Sequence, residues 1–375
     1  MTGMRWCALA TTVLLLLASA PAATAQTITE FPLPTPPPKS GGIRITSGPD
    51  GALWFTALNW DKIGRITTAG AVTEFLIPVP APARAIVSTN IVAGPDCALW
   101  FGFVTAIPDR PMVASAGIGR MTTTGEFSAF LLPSKSMSTF EIAAGPDGAL
   151  WFSEQLVYKI GRITTAGAIN EFPLPMPHRP LPRITAGPDG TVWFSRGGNK
   201  FGRITTDGAV TEFLLPSWSR ALTAGPDDAL WFTEANKIGR ITTTGTITEF
   251  PLPMPRALWF LEQLVDKIGR TTTARTITQF LLSTSNSPPG QITAGPDGAL
   301  WFTEANKIGR ITTTGEFREF LLPTPDSRPN DITAGPDGAV WFTEGFPDKN
   351  SKIGRINSVP TAPIPQAAQG CSAIA

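Results

Sequence analysis

The stretch ITAGPDGALWFTEANKIGRITTTG, residues 292–315, has a near copy earlier in the chain, LTAGPDDALWFTEANKIGRITTTG, residues 222–245. The two copies agree at 22 of 24 positions. Catalytic residues are usually placed once in a chain, so a block that recurs is more typical of a scaffold than of a reaction centre. The first question is therefore how often the block occurs and what it builds.

A Trp-Phe pair marks each copy of the block, and an Ile-Gly-Arg or Phe-Gly-Arg element follows it. The tryptophans are Trp54, Trp100, Trp151, Trp193, Trp231, Trp259, Trp301 and Trp341, which makes eight units. In a complete unit, Gly-Pro-Asp predicts a type I turn, and the Trp-Phe segment predicts a strand that is apolar on both faces. Four antiparallel strands in about 40 residues are the signature of a β-propeller blade.

The two ends of the chain predict how the propeller closes. The last unit ends after Ile356 without a fourth strand, whereas residues 27–31 form a fourth strand that has no blade of its own. Pairing the two gives a closed, all-β ring without an exposed edge. The sixth unit lacks its innermost strand, so we predict eight blades with the sixth truncated and a notch in the channel between Arg220 and Gly290. Seven blades, with the sixth unit squeezed out of the ring, is the alternative.

Residues 1–25 have the pattern of a secretory signal peptide, with a basic start at Arg5, an apolar run and an Ala-Thr-Ala end. The run is too short for a typical membrane span, and no later stretch reaches 18 apolar residues. We therefore expect a secreted or periplasmic protein without a membrane span. Residues 26–357 would form the propeller, and residues 358–375 a Pro/Ala-rich tail.

The charge balance argues against nucleic acid as a partner. Without Arg5, 29 basic residues face 29 acidic ones, with no long run of either sign, whereas nucleic-acid binding needs a basic face. We expect a monomer that binds a small molecule or a peptide at one face of the ring. Cys97 and Cys371 could form a disulfide in an oxidising compartment, or remain two free thiols.

The chain repeats the segments Trp-Phe-Thr-Glu, Asn-Lys-Ile-Gly-Arg-Ile-Thr and Ile-Thr-Glu-Phe-Pro-Leu-Pro. In these segments it resembles the streptogramin B lyase family, also called virginiamycin B lyase, over about residues 27–356. The resemblance implies a seven-bladed propeller that opens a cyclic depsipeptide by elimination at an ester bond, using Mg²⁺ and a histidine at the ring centre. The family's catalytic residues lie two positions before the isoleucine of a first strand. No histidine occupies the matching positions here, which are Ile43, Thr89, Phe140, Pro182, Arg220, Gly290 and Asn330.

The one histidine of the chain, His178, lies in the loop that enters the fourth unit, six residues before Ile184. A lone loop histidine is typical of a solvated residue, and the alternative is a catalytic base in a shifted position. Glutamates that follow the Trp-Phe pairs are interpreted as members of blade-stabilising ion pairs, or alternatively as oxygen ligands of Mg²⁺. The candidates for that metal site are Glu234, Glu304 and Glu344.

The turn aspartates and the Ile-Gly-Arg arginines recur and are interpreted as structural, with the glycine making room for the neighbouring tryptophan. A binding site built on repeats should instead consist of departures from the pattern. The departures at the expected channel register are Arg220, Asn330, Asp331 and Glu141, which we predict to bind the ligand. Two functions fit the sequence: a non-catalytic propeller that binds a ligand or partner, and a lyase that opens a cyclic ester with His178 as base and Mg²⁺.

Overall fold

The computed structural model describes the strands and turns of a β-propeller. It covers residues 27–35, 42–57, 60–79, 84–106, 113–133, 139–154, 158–174, 183–195, 199–234, 237–251, 267–271, 277–281, 289–344 and 351–357. Every regular element in these residues is a β-strand, so the predicted all-β class is confirmed. No helix in this part of the chain is long and apolar enough to cross a membrane.

Each blade is a four-stranded antiparallel sheet, and its strands follow one another from the centre of the ring outwards. Blade 1 has β2 (Ile43–Ser47), β3 (Leu53–Ala57), β4 (Lys62–Ile66) and β5 (Val72–Leu76). Blade 2 has β6 (Arg84–Ala93), β7 (Leu99–Ala106), β8 (Val113–Met121) and β9 (Phe127–Leu131). Blade 3 has β10 (Thr139–Ala144), β11 (Leu150–Glu154), β12 (Lys159–Ile163) and β13 (Ile169–Pro173).

The next three blades repeat this order. Blade 4 has β14 (Ile184–Ala186), β15 (Val192–Ser195), β16 (Lys200–Ile204) and β17 (Val210–Leu214). Blade 5 has β18 (Ser219–Ala224), β19 (Ala229–Glu234), β20 (Lys237–Thr242) and β21 (Ile247–Pro251). Blade 6 has β24 (Ile292–Ala294), β25 (Leu300–Glu304), β26 (Lys307–Ile311) and β27 (Phe317–Leu321).

The seventh blade closes the ring with strands from both ends of the chain, as predicted. It has β28 (Ile332–Ala334), β29 (Ala339–Glu344), β30 (Lys352–Asn357) and β1 (Ile28–Pro32). The antiparallel register pairs Ile28 with Ile356 and Pro32 with Lys352. The Lys352 ammonium group also forms an ion pair with Glu30 at 2.5 Å, so the closing strand is held by both backbone and side-chain bonds.

The ring has seven blades, which is the alternative that the sequence left open, and not the preferred eight. The strands β22 (Lys267–Thr271) and β23 (Ile277–Leu281) of the sixth unit form a separate two-stranded sheet. The innermost strand β18 of blade 5 lies directly beside β24 of blade 6. The Thr233 hydroxyl donates to the Gly290 carbonyl oxygen across this interface at 3.0 Å, so the predicted notch between Arg220 and Gly290 is absent from the described ring.

The Trp-Phe pair lies at the centre of each blade-to-blade interface. In blade 1, Trp54 packs against Leu99 and Phe101 of blade 2, whereas Phe55 packs against Trp341 of blade 7. Neighbouring strand residues point to opposite faces of a sheet, so one dipeptide supplies an apolar side chain to both neighbours. The interface of blades 5 and 6 is of the same kind: Trp231 of blade 5 and Phe302 of blade 6 belong to the same buried cluster.

A turn aspartate joins the tryptophan and the arginine of its blade. In blade 1, Asp50 Oδ1 accepts from Trp54 Nε1 at 2.9 Å, and Asp50 Oδ2 accepts from Arg65 Nε at 2.6 Å. The same pair of bonds, to a tryptophan and an arginine, is made by Asp96, Asp147, Asp189, Asp227, Asp297 and Asp337. The interpretation of these aspartates and arginines as structural residues is therefore confirmed.

Two glycines show how closely the aromatic rings are packed. A Cβ atom at Gly64, in the Ile-Gly-Arg element, would lie 2.1 Å from the Phe55 ring, so this glycine makes room for the phenylalanine and not for the tryptophan. The glycine beside the tryptophan is the first one of the turn, since a Cβ atom at Gly48 would lie 2.2 Å from Trp54. The sequence prediction assigned the contact to the wrong ring.

The last position of the Gly-Pro-Asp-Gly turn requires a left-handed backbone. Gly51 has a φ of 72°, which glycine adopts without a steric cost. Cys97 and Asp228 stand at the equivalent positions in blades 2 and 5, with φ values of 60° and 53°. Cys97 is disulfide-bonded, so the free-thiol alternative is wrong for this residue. Cys371 lies outside the described residues.

The buried copy of the aspartate–arginine pair gives a prediction about stability. The Asp297 and Arg310 side chains are only 1% and 10% exposed, so Asp297→Ala would leave a guanidinium group without its partner in a dry site. We expect a loss of about 3–5 kcal/mol in the free energy of unfolding. Asp50→Ala is the matched control, because the Asp50 and Arg65 side chains are 17% and 25% exposed, and it should cost only about 1–2 kcal/mol. Equal losses in chemical denaturation would contradict the prediction.

The direct contact of blades 5 and 6 predicts that the ring folds without the sixth unit. Residues 322–329 connect blade 6 to blade 7, and residues 252–289 occupy the equivalent place between blades 5 and 6. Replacing 252–289 with the sequence of 322–329 should change the melting temperature by less than about 4 °C. A chain that fails to fold, or that melts about 10 °C lower, would show that the sixth unit supports the ring.

Candidate functional site

A central channel runs through the ring and is lined by the innermost strand of every blade. These strands are β2, β6, β10, β14, β18, β24 and β28. We call the end of the channel where they begin the upper end; the Gly-Pro-Asp turns that follow them lie at the lower end. The channel contains a cavity of about 840 Å³ that touches residues of all seven blades. Cavities of this size hold small molecules.

One position of the repeat differs in nearly every blade, and it lies at the upper end of the channel. It is the residue directly before the apolar residue that stands three positions ahead of the first glycine of the turn in each innermost strand. In blade order it is occupied by Arg44, Asn90, Glu141, Arg183, Ala221, Gln291 and Asp331. All but Ala221 line the cavity. We call these seven residues the channel ring.

A hydroxyl group from the second strand fixes the backbone of the channel ring. The backbone N–H of Arg183 donates to Ser195 Oγ at 2.8 Å, and that of Gln291 donates to Thr303 Oγ1 at 3.0 Å. The same bond forms from Glu141, Ala221 and Asp331 to the hydroxyl groups of Ser153, Thr233 and Thr343. Because the backbone is held in the same way in these blades, the side chain alone distinguishes one ring position from the next.

Two arginines of the channel ring meet at one amide group. With the Gln291 amide oxygen turned towards them, it accepts from Arg44 Nη1 at 2.6 Å and from Arg183 Nη2 and Nη1 at 2.9 and 3.0 Å. These residues belong to blades 6, 1 and 4, so the contacts span the channel. The upper end of the channel is therefore crossed by a polar bridge that carries two positive charges.

Two carboxylates of the channel ring flank this bridge. Glu141 forms an ion pair with Arg183. Asp331 accepts the backbone N–H of Ile45 at 2.9 Å and lies 4.0 Å from Arg44 Nη1, too far for a hydrogen bond. Burial raises the pKa of Asp331, and the Glu141 carboxylate adds to the rise, against the opposing effects of the Arg44 guanidinium group and the Ile45 N–H.

Two asparagines near the channel hold neighbouring blades together. Asn90 donates to the Ile142 carbonyl oxygen at 2.9 Å and accepts from the Ile142 N–H at 2.8 Å, which joins blade 2 to blade 3. Asn330 lies outside the cavity lining and donates to the Ile43 carbonyl oxygen at 2.9 Å, which joins blade 7 to blade 1. The geometry thus gives Asn330, predicted as a ligand-binding residue, a bond between blades.

The glutamates predicted to share a metal ion are held apart, each within its own blade. Burial and the neighbouring Glu319 carboxylate raise the pKa of Glu304 to about 8. Burial raises the pKa of Glu344 to about 8 as well, and the Glu30 carboxylate adds to the effect. Burial also raises the pKa of Glu234. Among the described residues, no group of three or more His, Cys, Asp or Glu side chains is placed to hold a metal ion.

The repeated ion pair of the blades uses a different glutamate from the predicted one. The lysine that begins the third strand binds a glutamate of the fourth strand, for example Lys307 with Glu319 at 2.7 Å and Lys237 with Glu249 at 2.6 Å. The glutamate after the Trp-Phe pair lies beside these pairs. Blades 3, 5, 6 and 7, with Glu154, Glu234, Glu304 and Glu344, therefore place a second carboxyl group next to a carboxylate that is already bound to lysine.

Of the remaining predicted site residues, Glu141 and Asp331 line the cavity, whereas His178 and the Arg220 side chain lie outside the described residues. Arg44, Arg183 and Gln291 were missed. The sequence does contain a signal for them. Each stands directly before the strand isoleucine, and this position of the repeated block changes from blade to blade. The family resemblance directs attention to the position one residue earlier, at which Ile43, Pro182 and Gly290 stand in these three blades.

Comparisons with known proteins agree with this architecture. The sequence profile of the virginiamycin B lyase family matches residues 21–107, 112–257 and 254–375. The structure is similar to a streptogramin B lyase structure, with 34% identity and a TM-score of 0.68, covering 88% of this chain and 97% of the other. No curated protein sequence gives a significant match.

Two further solved structures are similar to the same extent. One is the selenomethionine-substituted virginiamycin B lyase from Staphylococcus aureus, with 33% identity and a TM-score of 0.68. The other is a catalytically inactive histidine-to-alanine variant of the S. aureus enzyme with quinupristin, with 32% identity and a TM-score of 0.67. In both cases the alignment covers 89% of this chain and 100% of the other.

The raised pKa values of Glu304 and Glu344 predict how stability depends on pH. Each pKa rises from 4.5 to about 8 on folding, so the folded state binds the proton more tightly than the unfolded chain does. The contribution of these two residues to the free energy of unfolding should therefore be largest below about pH 4.5 and fall as the pH rises towards about 8. Changing both residues to glutamine should remove most of this fall.

The measurement is chemical denaturation of the Glu304→Gln/Glu344→Gln variant between about pH 5 and pH 8. Glu126→Gln is the control, because this side chain is exposed and its change should leave the slope of the wild type unaltered. A wild-type stability that rises over this range, or a double variant with the wild-type slope, would contradict the assignment.

Proposed function

Because the chain belongs to the virginiamycin B lyase family, we propose that it uses the family's propeller to bind a small molecule at the upper end of the channel, without lyase chemistry. The observation that carries this proposal is the composition of the channel ring. Its seven positions hold two arginines, two carboxylates, two amides and one alanine. These groups recognise a ligand by hydrogen bonds and charge, but they include no imidazole to act as a base near neutral pH.

The solved structures support the absence of lyase chemistry. In the S. aureus enzyme, one histidine-to-alanine change gives a catalytically inactive protein. Elimination at an ester bond requires a base that removes the proton on the carbon next to the breaking C–O bond. In this chain every residue of the channel ring differs from histidine, and neither Arg44 nor Arg183 can serve as a base because arginine stays protonated.

The described channel residues do not fit the Mg²⁺ ion that the family resemblance implies. Magnesium requires several carboxylate or carbonyl oxygens that can face the ion. Here Glu141 is engaged by Arg183, Asp331 is engaged by the backbone N–H of Ile45, and the two guanidinium groups would repel a cation. The proposed binding function therefore uses no metal ion at this position.

The sequence supports a proposal for the cellular setting. With residues 1–25 as a signal peptide, the protein acts after export, outside the cell or in the periplasm. The balanced surface charge and the lack of a basic run disfavour nucleic acid. We propose a monomer, because one chain closes the ring with its own two ends.

The second candidate function is a Mg²⁺-dependent carbon–oxygen lyase that opens a cyclic ester. The observation in its favour is 32–34% identity to streptogramin B lyases along nearly the whole chain. It would require His178 as a base reaching over the channel mouth and a metal site built partly from residues outside the described ones. The channel ring supplies neither, so binding without turnover is the better supported function.

A turnover assay separates the two candidates. The mature protein is incubated with quinupristin and Mg²⁺, with and without EDTA, beside the S. aureus enzyme as a positive control. Elimination within a ring rearranges bonds without changing the mass, so the product must be detected by chromatographic retention and by its tandem mass spectrum. We expect quinupristin to remain intact with this protein. Ring opening that EDTA abolishes would overturn the proposal in favour of the lyase.

A further inference from the structure

The polar bridge across the channel resembles a binding site for an acidic group. In this structure the Gln291 amide oxygen takes the place of the acidic group's oxygen. Three N–H groups from Arg44 and Arg183 converge on the single amide oxygen of Gln291, at 2.6 to 3.0 Å. Guanidinium groups make their strongest bonds to ionised acceptors such as carboxylates. A neutral amide oxygen therefore occupies a place where a carboxylate oxygen would bind more strongly.

The charges around the bridge leave room for an anion. Arg183 is paired with Glu141, but Arg44 lies 4.0 Å from its neighbouring carboxylate, Asp331, beyond hydrogen-bond distance. Asp331 instead accepts the backbone N–H of Ile45. The Arg44 side chain is 18% exposed, so water and solutes in the channel can reach it. One of the two guanidinium charges thus lacks a hydrogen-bonded counter-ion.

We propose that Arg44 and Arg183 form a clamp for the carboxylate group of a small molecule, and that the Gln291 amide holds this place until a carboxylate replaces it. The inference rests on the proposed binding function and names its ligand class. A planar carboxylate is favoured over a tetrahedral phosphate because the group now in the clamp, a carboxamide, has the same planar shape. Each carboxylate oxygen can accept from one guanidinium group.

The rest of the cavity suits the body of such a ligand. Below the clamp the channel is lined by threonines and small residues, among them Thr46, Thr185, Thr223, Thr293 and Thr333. With a volume of about 840 Å³, the cavity accepts a molecule considerably larger than the carboxylate alone. The clamp therefore binds the carboxylate group of the ligand, and the threonine-lined part of the channel holds the rest of the ligand.

The test is a titration of the mature protein with succinate and acetate, each compared with its uncharged amide, succinamide or acetamide. Binding is measured by calorimetry and by saturation-transfer NMR. We expect the carboxylates to bind at least about tenfold more tightly than the amides, and inorganic phosphate to bind more weakly than succinate. Equal binding of acid and amide, tighter binding of phosphate, or no binding of either carboxylate would overturn the clamp.

Variants locate the binding in the channel. Arg44→Ala and Arg183→Ala should each weaken succinate binding by about tenfold or more, whereas Gln291→Ala should strengthen it because the internal competitor is gone. Arg318→Ala is the matched control, since it removes an exposed arginine from the outer strand of blade 6 and should leave the affinity unchanged. Succinate affinity that is insensitive to the channel arginines, or reduced by Gln291→Ala, would overturn the proposal.

The folded state of each variant is checked by its melting curve. If an alanine variant fails to fold, Arg44→Lys and Arg183→Lys keep the charge and remove the planar fork, and they should bind succinate less tightly than the wild type. Wild-type affinity in both lysine variants would show that charge alone matters and would overturn the clamp. Failure of this test leaves the quinupristin assay untouched, so the ligand class and the absence of turnover are judged separately.

Discussion

The packing of a tryptophan of one blade against a phenylalanine of the next is the interaction on which the whole ring depends. Both faces of each central strand are apolar, as the fully buried Trp54 and Phe55 show, so a blade that lacks one of its neighbours would expose an apolar face to water. Burying an aromatic side chain contributes about 1.5–3 kcal/mol, and every interface buries at least two. Only a closed ring covers all of these faces, which is why the chain ends are used to complete blade 7.

Ring closure also explains how a repeated scaffold can hold an unrepeated site. The tryptophan, the turn aspartate and the arginine fix the lower end of each blade, and a serine or threonine hydroxyl fixes the start of most innermost strands. The backbone of the channel ring is thus placed by residues that recur. Its chemistry then depends on one side chain per blade, so a change of that side chain alters the site while the bonds that hold the backbone remain.

The sequence was sufficient for the fold class and the closing strand, because the repeated turns, the repeated strands that are apolar on both faces and the unpaired strand at 27–31 can all be recognised in the sequence. The sequence was not sufficient for the number of blades. Counting the copies of the repeat gives eight, but the number of blades in the ring depends on whether β18 and β24 are neighbours in space. The site was only partly predictable for a similar reason. Glu141 and Asp331 stood out as departures, but the meeting of Arg44 and Arg183 at Gln291 joins blades that are distant in the chain.

The channel ring shows why family membership determines the shape of this protein more firmly than its chemistry. A site for a divalent cation needs carboxylates that face the channel without competing partners. In this chain the carboxylate of Glu141 is bound by a guanidinium group and that of Asp331 by a backbone N–H, while Arg44 and Arg183 direct their donors to the channel axis. The upper end of the channel therefore presents guanidinium donors together with carboxylates that already have partners, an arrangement that suits a ligand with a negative charge better than a cation.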